Sequence, residues 1–291
     1  MQIENNILKI VCNPNFGGRI TSFFCKEKNF ELAAQPDKNL ELESPLRGDF
    51  APYAFGMDDA FPNIDAEQIN WKGKNYAYPD HGEIWSAEFE VTDQTRNSVS
   101  LCWKSPELGY QYEKKMYLNA NALNIHYLIV NVGDRELPCF WTWHGLMRYE
   151  ENMEVILPKG VTHWRNVLSG SVLGEAGKIY PLENDVYDFE RVPEAASRSM
   201  IKFYAEGEMV DGRCGVRYPS QNVVCTIEYD VKVLPYFGFW VTAGGFQGDY
   251  NCALEPSNGF YDRISLARNN GKLPVLAVGE NMEFEIRIVL R

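Results

Sequence analysis

The 291-residue chain reads as an all-β protein, either a sandwich or a barrel. Three observations predict this. The dominant hydrophobic period is two, and the alternating stretches are bounded by turn chemistry. No stretch pairs a capping residue with a 3.6-residue apolar period, so no helix is expected.

Taken in order, Ile7 to Val11 and Ile20 to Cys25 flank Asn13-Pro14-Asn15-Phe16-Gly17-Gly18, a turn between two strands. Glu88 to Asp93 and Val99 to Trp103 bracket a polar turn at Arg96-Asn97. Gln111 to Leu118 and Leu123 to Asn131 bracket Asn119-Ala120-Asn121, a hairpin signal. In the second of these, Leu123, Ile125, Tyr127 and Ile129 share one face, and Asn124 and His126 take the other. Met282 to Leu290 alternates likewise, with Phe284, Ile286, Ile288 and Leu290 opposed to Glu283, Glu285 and Arg287. Two stretches break the rhythm, 35–69 and 168–199, both rich in Gly, Pro and acidic residues. Loops of that length in a compact domain are functional or disordered. The aromatic and Pro content of the first points to an ordered loop walling a cleft; the second reads as connection. No repeat or linker divides the chain, so residues 1–291 are expected to form one domain.

Composition narrows the function. Hydrophobic residues at 45% and charged ones at 23% are ordinary for a soluble protein. A net charge of −12 argues against nucleic acid and anionic membranes, which need a basic footprint. The seven cysteines include no Cys-x-x-Cys pair and read as small buried apolar residues. The N-terminus lacks the charged and apolar regions of a signal peptide, and no apolar run approaches the ~20 residues of a membrane helix, so the expectation is a cytoplasmic protein.

The four histidines divide into two kinds. His126 and His163 read as solvated or structurally hydrogen-bonded. His81, in Asp80-His81-Gly82 just before an expected strand, and His144, ending the aromatic strand Phe140-Trp141-Thr142-Trp143-His144, are each followed by a Gly that permits close backbone approach. Glu255, in Leu254-Glu255-Pro256, follows the stretch from Tyr236 to Ala253, in which Asp249 is the sole charge. It is either a surface carboxylate at a strand end or an acid/base group in a pocket, and its local sequence leaves both open. Trp71, Trp85, Trp141, Trp143, Trp164, Tyr236 and Trp240 offer flat rings on which sugars stack, although at least half are expected to pack between sheets.

Together these pieces resemble the galactose-mutarotase (aldose 1-epimerase) family. The matching segments are Gly17-Gly18-Arg19-Ile20-Thr21-Ser22, Asp58-Asp59-Ala60-Phe61-Pro62, Asp80-His81-Gly82-Glu83-Ile84-Trp85, Trp143-His144, Leu234-Pro235-Tyr236-Phe237-Gly238-Phe239-Trp240, Leu254-Glu255-Pro256 and Gly279-Glu280, in the family's order across nearly the whole chain. The resemblance implies a large antiparallel β-sandwich with a sugar-binding cleft on one sheet, acting on a free aldose. It implies that Glu255 is the general base on the anomeric hydroxyl, that His144 is the acid that protonates the ring oxygen, and that His81 assists.

The family's substrate-binding Arg and Asp have no counterparts at matching spacing, so Arg47, Asp58 and Asp59 are expected to replace them, with Trp85, Trp143 and Trp240 as stacking surfaces. Two positioned proton-transfer groups contribute roughly 10²–10⁴ each, about 5–11 kcal/mol together. Ring opening already proceeds slowly in water, so the expectation is no metal and no cofactor. Three alternatives follow from the same residues: a sugar-binding or regulatory protein without turnover, a hexose-6-phosphate epimerase using Arg47, Arg148 and Arg165, and a metal enzyme with His81, Glu83 and His144 as ligands.

Overall fold

Alternation builds two antiparallel sheets, and the residues that alternate inward form the core between them. The structure is a computed structural model that describes residues 1–36 and 50–291. Its larger sheet runs Gln2–Glu4, Leu8–Asn13, Arg19–Cys25, Met57–Ala60, Thr142–Arg148, Tyr250–Ser257, Tyr236–Ala243, Met200–Ala205, His163–Asn166 and Ile179–Pro181, with Phe30–Glu31 paired to Arg19–Cys25. The second runs Glu154–Ile156, Arg213–Tyr218, Val223–Tyr229, Asn281–Leu290, Ala122–Asn131, Tyr110–Asn119, Ser98–Lys104 and Glu90–Gln94. The result is an antiparallel β-sandwich, which is the expected class.

The expected hairpin is present: Tyr110–Asn119 pairs with Ala122–Asn131 over ten residues, turning at Ala120, whose φ of 52° lies in the left-handed region. Leu123, Ile125, Tyr127 and Ile129 are buried, as are Phe284, Ile286, Ile288 and Leu290 on the neighbouring strand. Polar ties also cross the core. Asp59 of the larger sheet lies 2.8 Å from Lys114 Nζ and 2.7 Å from the Tyr127 hydroxyl of the second. Trp141 donates its indole N–H to the Tyr112 hydroxyl at 2.8 Å.

Two expectations are corrected. The stretch 35–69 is not loop throughout: Met57–Ala60 is an inner strand of the larger sheet, and Glu67–Trp71 begins a hairpin with Lys74–Tyr78. All four residues of Met57–Ala60 are buried, so it shows no in-and-out contrast for a period-two reading to find. Residues 37–49 lie outside the described residues, and the Arg47-Gly48-Asp49 call falls there. A helix does occur, Ile264–Asn269, without a side-chain cap, which is why no helix start was legible. The stretch 168–199 is largely connection, with a three-residue strand at Ile179–Pro181. All seven cysteines are free and six are buried. Among the described residues no helix is long and apolar enough to cross a membrane.

Candidate active site

The site is a row of side chains running across five strands of the larger sheet. Antiparallel register places Asp58 opposite His144, Glu255 opposite Gly238, and Gly238 opposite Tyr204. Thr142 pairs with Ser257 and Leu146 with Ala253, so His144 and Glu255 sit at matching positions on neighbouring strands. Two residues along, the next row carries Leu146, Ala253, Trp240 and Lys202. Period two puts both rows on the face away from the second sheet. Ala253 presents only a methyl between Leu146 and Trp240, which leaves a hollow.

That hollow is a cleft of about 220 Å³, walled by Phe50, Ile64, Leu146, Val167, Trp240 and Phe246, with His81, His144, Lys202, Asp65 and Asp262 as its polar groups. Apolar walls with few placed polar groups are the usual make-up of a small-molecule site. His81 adopts a φ of 56° and stacks on Phe50, ring centroids 3.8 Å apart, while its Nδ1 lies 3.0 Å from Asp80. Its ring meets that of His144 edge-on at 4.7 Å. Burial lowers the His81 pKa, a tendency that Asp80 opposes and the neighbouring His144 reinforces.

His144 stands between two carboxylates. Its Nδ1 is 3.8 Å from Asp58 Oδ1 and its Nε2 is 3.9 Å from Glu255 Oε1. Asp58 is held by Arg19 at 2.7 Å, and that guanidinium packs among Phe16, Phe50 and Phe55. Burial alone would raise the Asp58 pKa; Arg19 and His144 outweigh it and hold the carboxyl below its ordinary range. Glu255 has no exposed surface, and its Oε1 has no hydrogen-bond partner. Its Oε2 lies 3.3 Å from the Tyr204 hydroxyl and 3.5 Å from Lys202 Nζ. Lys202 and Tyr204 both also meet Asp262, at 2.9 and 2.8 Å. Burial works against the Lys202 charge, but Asp262 and Glu255 together overcome it and raise its pKa.

The structure therefore brings together His81, His144, Glu255 and Trp240 of the expected site, with Asp58 buried behind His144 and paired to Arg19 rather than open to a substrate. Glu255 is not a surface carboxylate: it is fully buried against His144 and Lys202, two groups that line the cleft. Three calls are corrected. Asp59 points between the sheets to Lys114 because neighbours on a strand face opposite ways. Trp143 does the same, its indole folded against Gly145, where a Cβ would come within 2.5 Å of the ring. Trp85 is sealed behind Phe50, Tyr53 and Phe16. None of these three meets the cleft.

His144 lies within the Thr142–Arg148 strand rather than at its end, and His81 precedes a 3₁₀ turn, Ile84–Ser86, rather than a strand. His126 is half-buried and His163 exposed, bonded to Glu283 and Thr162 respectively, in keeping with their structural reading. Glu83 turns into a separate hollow and accepts from Ser105 at 2.6 Å, so the His81, Glu83 and His144 set does not converge. Arg148 and Arg165 are engaged by Glu150 and Glu206.

Sequence reasoning missed Arg19 as a partner of Asp58, and missed Lys202, Tyr204 and Asp262 altogether. A signal existed for two of them: Met200–Ala205 alternates Ile201, Phe203 and Ala205 with Lys202 and Tyr204, which marks an apolar strand with a charged second face. Asp262 lies in a bend five residues beyond the Tyr250–Ser257 strand and carried no such signal.

The antiparallel sandwich is the fold of galactose mutarotase-like structures. A galactose mutarotase related enzyme from Lactobacillus acidophilus superposes with a TM-score of 0.74 at 16% identity, covering 100% of this chain and 97% of its own. A galactose mutarotase-like protein from Clostridium acetobutylicum gives 0.76 at 16%, covering 100% and 94%. A third, from Lactobacillus casei, gives 0.71 at 16%, covering 100% and 99%. At such identities the likeness is one of fold. A family model described as a domain of unknown function (DUF4432) matches residues 183–290. No curated protein matches the chain.

Proposed function

We propose that the protein is an aldose 1-epimerase that interconverts the α and β anomers of a free sugar. The observation that carries this reading is the placement of Glu255 Oε1, buried and without a hydrogen-bond partner, 3.9 Å from Nε2 of His144, which lines the cleft. The anomeric hydroxyl and the ring oxygen share one carbon, so the two proton transfers of ring opening need an acid and a base side by side. Glu255 accepts the hydroxyl proton and His144 delivers one to the ring oxygen. The C1–O5 bond breaks, the C1–C2 bond rotates, and reclosure with the proton transfers reversed gives the other anomer. Asp58 holds His144 from behind, His81 bonds the oxygens beside it, and Trp240 offers a face to the sugar's C–H groups. Because Glu255 has no exposed surface, the hydroxyl must enter between His144 and Lys202 to reach it.

The test is anomeric exchange measured by NMR over a panel of galactose, glucose and modified sugars. Glu255→Gln is expected to lower the rate by roughly 10²–10⁴, the contribution of one positioned proton-transfer group. Equal rates for wild type and this variant on every sugar would overturn the reading.

A further inference from the structure

We propose that Lys202, Tyr204 and Asp262 form a positioning network for Glu255, in which Lys202 and Tyr204 hold Oε2 and leave Oε1 as the proton acceptor. This inference rests on the epimerase reading and adds to it the device that sets the base. Its foundation is the asymmetry of the carboxylate. Oε2 has a cation at 3.5 Å and a hydroxyl at 3.3 Å, while Oε1 has no hydrogen-bond partner and faces His144. A carboxylate with both oxygens bonded would be a poor proton acceptor. A buried one with neither bonded would not stay ionised. One tied and one free oxygen satisfies both demands.

The surroundings leave no other described group for this task. The Thr142–Arg148 strand offers His144, which faces the other oxygen, with Asp58 and Arg19 behind it and His81 against its ring. The Tyr236–Ala243 strand offers Gly238, which has no side chain. Only the Met200–Ala205 strand brings a cation and a hydroxyl to Oε2, and its period of two aims both at the same face. Asp262 sits on the far side of them and competes for both. The Tyr204 hydroxyl has a single proton to share between Asp262, 2.8 Å away, and Glu255, 3.3 Å away. Asp262 therefore fixes Lys202 and Tyr204 in place and limits how strongly they act on Glu255.

Opposite effects from the two ends of this network make the test. The full chain is assayed for anomeric exchange between about pH 4 and 9, on the sugar that wild type turns over fastest, with circular dichroism as a check of fold. Lys202→Met removes the counter-charge, so kcat/KM is expected to fall at least about tenfold and the acid-side inflection to move up by about one pH unit or more. Lys202→Arg is expected to restore most of both. Asp262→Asn removes the competitor and a nearby negative charge, so its inflection is expected to move down instead.

A folded Lys202→Met with the wild-type inflection overturns the network. So does an Asp262→Asn inflection that stays put or moves up, and this outcome remains decisive if Lys202→Met fails to fold. Glu255→Gln run alongside separates the two levels. If it matches wild type, the epimerase reading itself falls; if it is inactive while the Lys202 and Asp262 variants keep the wild-type profile, only the network falls.

Discussion

Asp58 shows how far a single side chain can be from the role its motif implied. Expected as a sugar ligand, it is 1% exposed and spends its charge on Arg19 and His144. Its depressed pKa carries a stability consequence with a definite sign. A carboxyl that binds its proton more weakly in the folded state contributes stability above its unfolded value of about 3.9, and that contribution is lost as pH falls through the folded value. Asp59 next to it has the reverse sign, since burial outweighs Lys114 and raises its pKa. Asp58→Asn leaves the buried Arg19 without its counter-charge and is expected to cost about 3–5 kcal/mol at neutral pH. The loss should shrink in acid, because wild-type Asp58 is itself being neutralised there. Urea denaturation of both proteins from pH 7 downward measures the difference, and a gap independent of pH would refute the assignment of charge to Asp58.

At the scale of elements, the site depends on adjacent strands staying in register and on one of them carrying nothing. Gly238 sits between Glu255 and Tyr204, and its φ is not in the left-handed region, so conformation does not explain it. Space does. A Cβ at this position would lie 2.8 Å from the Tyr204 ring and 3.2 Å from Glu255 Oε2. Gly238→Ala is therefore expected to destabilise the protein by about 1–3 kcal/mol, the usual cost of overpacking, and to lower exchange activity by displacing the carboxylate. Denaturant titration and the exchange assay read the two effects, and a fully active variant would show that Tyr204 need not cover Glu255. The strand Met57–Ala60 makes the complementary point. It was illegible as a strand because it is buried on both faces, with Asp58 turned to Arg19 and His144 and Asp59 to the core.

Over the whole molecule, the two sheets are joined by apolar packing and by the Asp59–Lys114–Tyr127 cluster, in which no member is more than 2% exposed. A double-mutant cycle with Asp59→Asn and Lys114→Met is expected to give a coupling of about 0.5–3 kcal/mol between residues 55 apart in sequence, and additivity would mean the contact contributes nothing. Fold class and most strands were legible in the sequence, because alternation and turn residues are local signals that survive without the partner strand. His81, His144 and Glu255 were legible as candidates for the same reason: Gly, aromatic and uncharged neighbours marked them. Which candidates meet was not legible. Asp59, Trp143 and Trp85 turn away from the cleft, while Lys202, Tyr204 and Asp262 arrive from elements 50 or more residues from His144. The sequence by itself determined that a strand would form and which residues would alternate along it. Only the tertiary structure decided which face looks onto the cleft and which strands lie side by side, because cross-strand register is set by long-range packing. That register puts His144, Glu255 and Lys202 in one place.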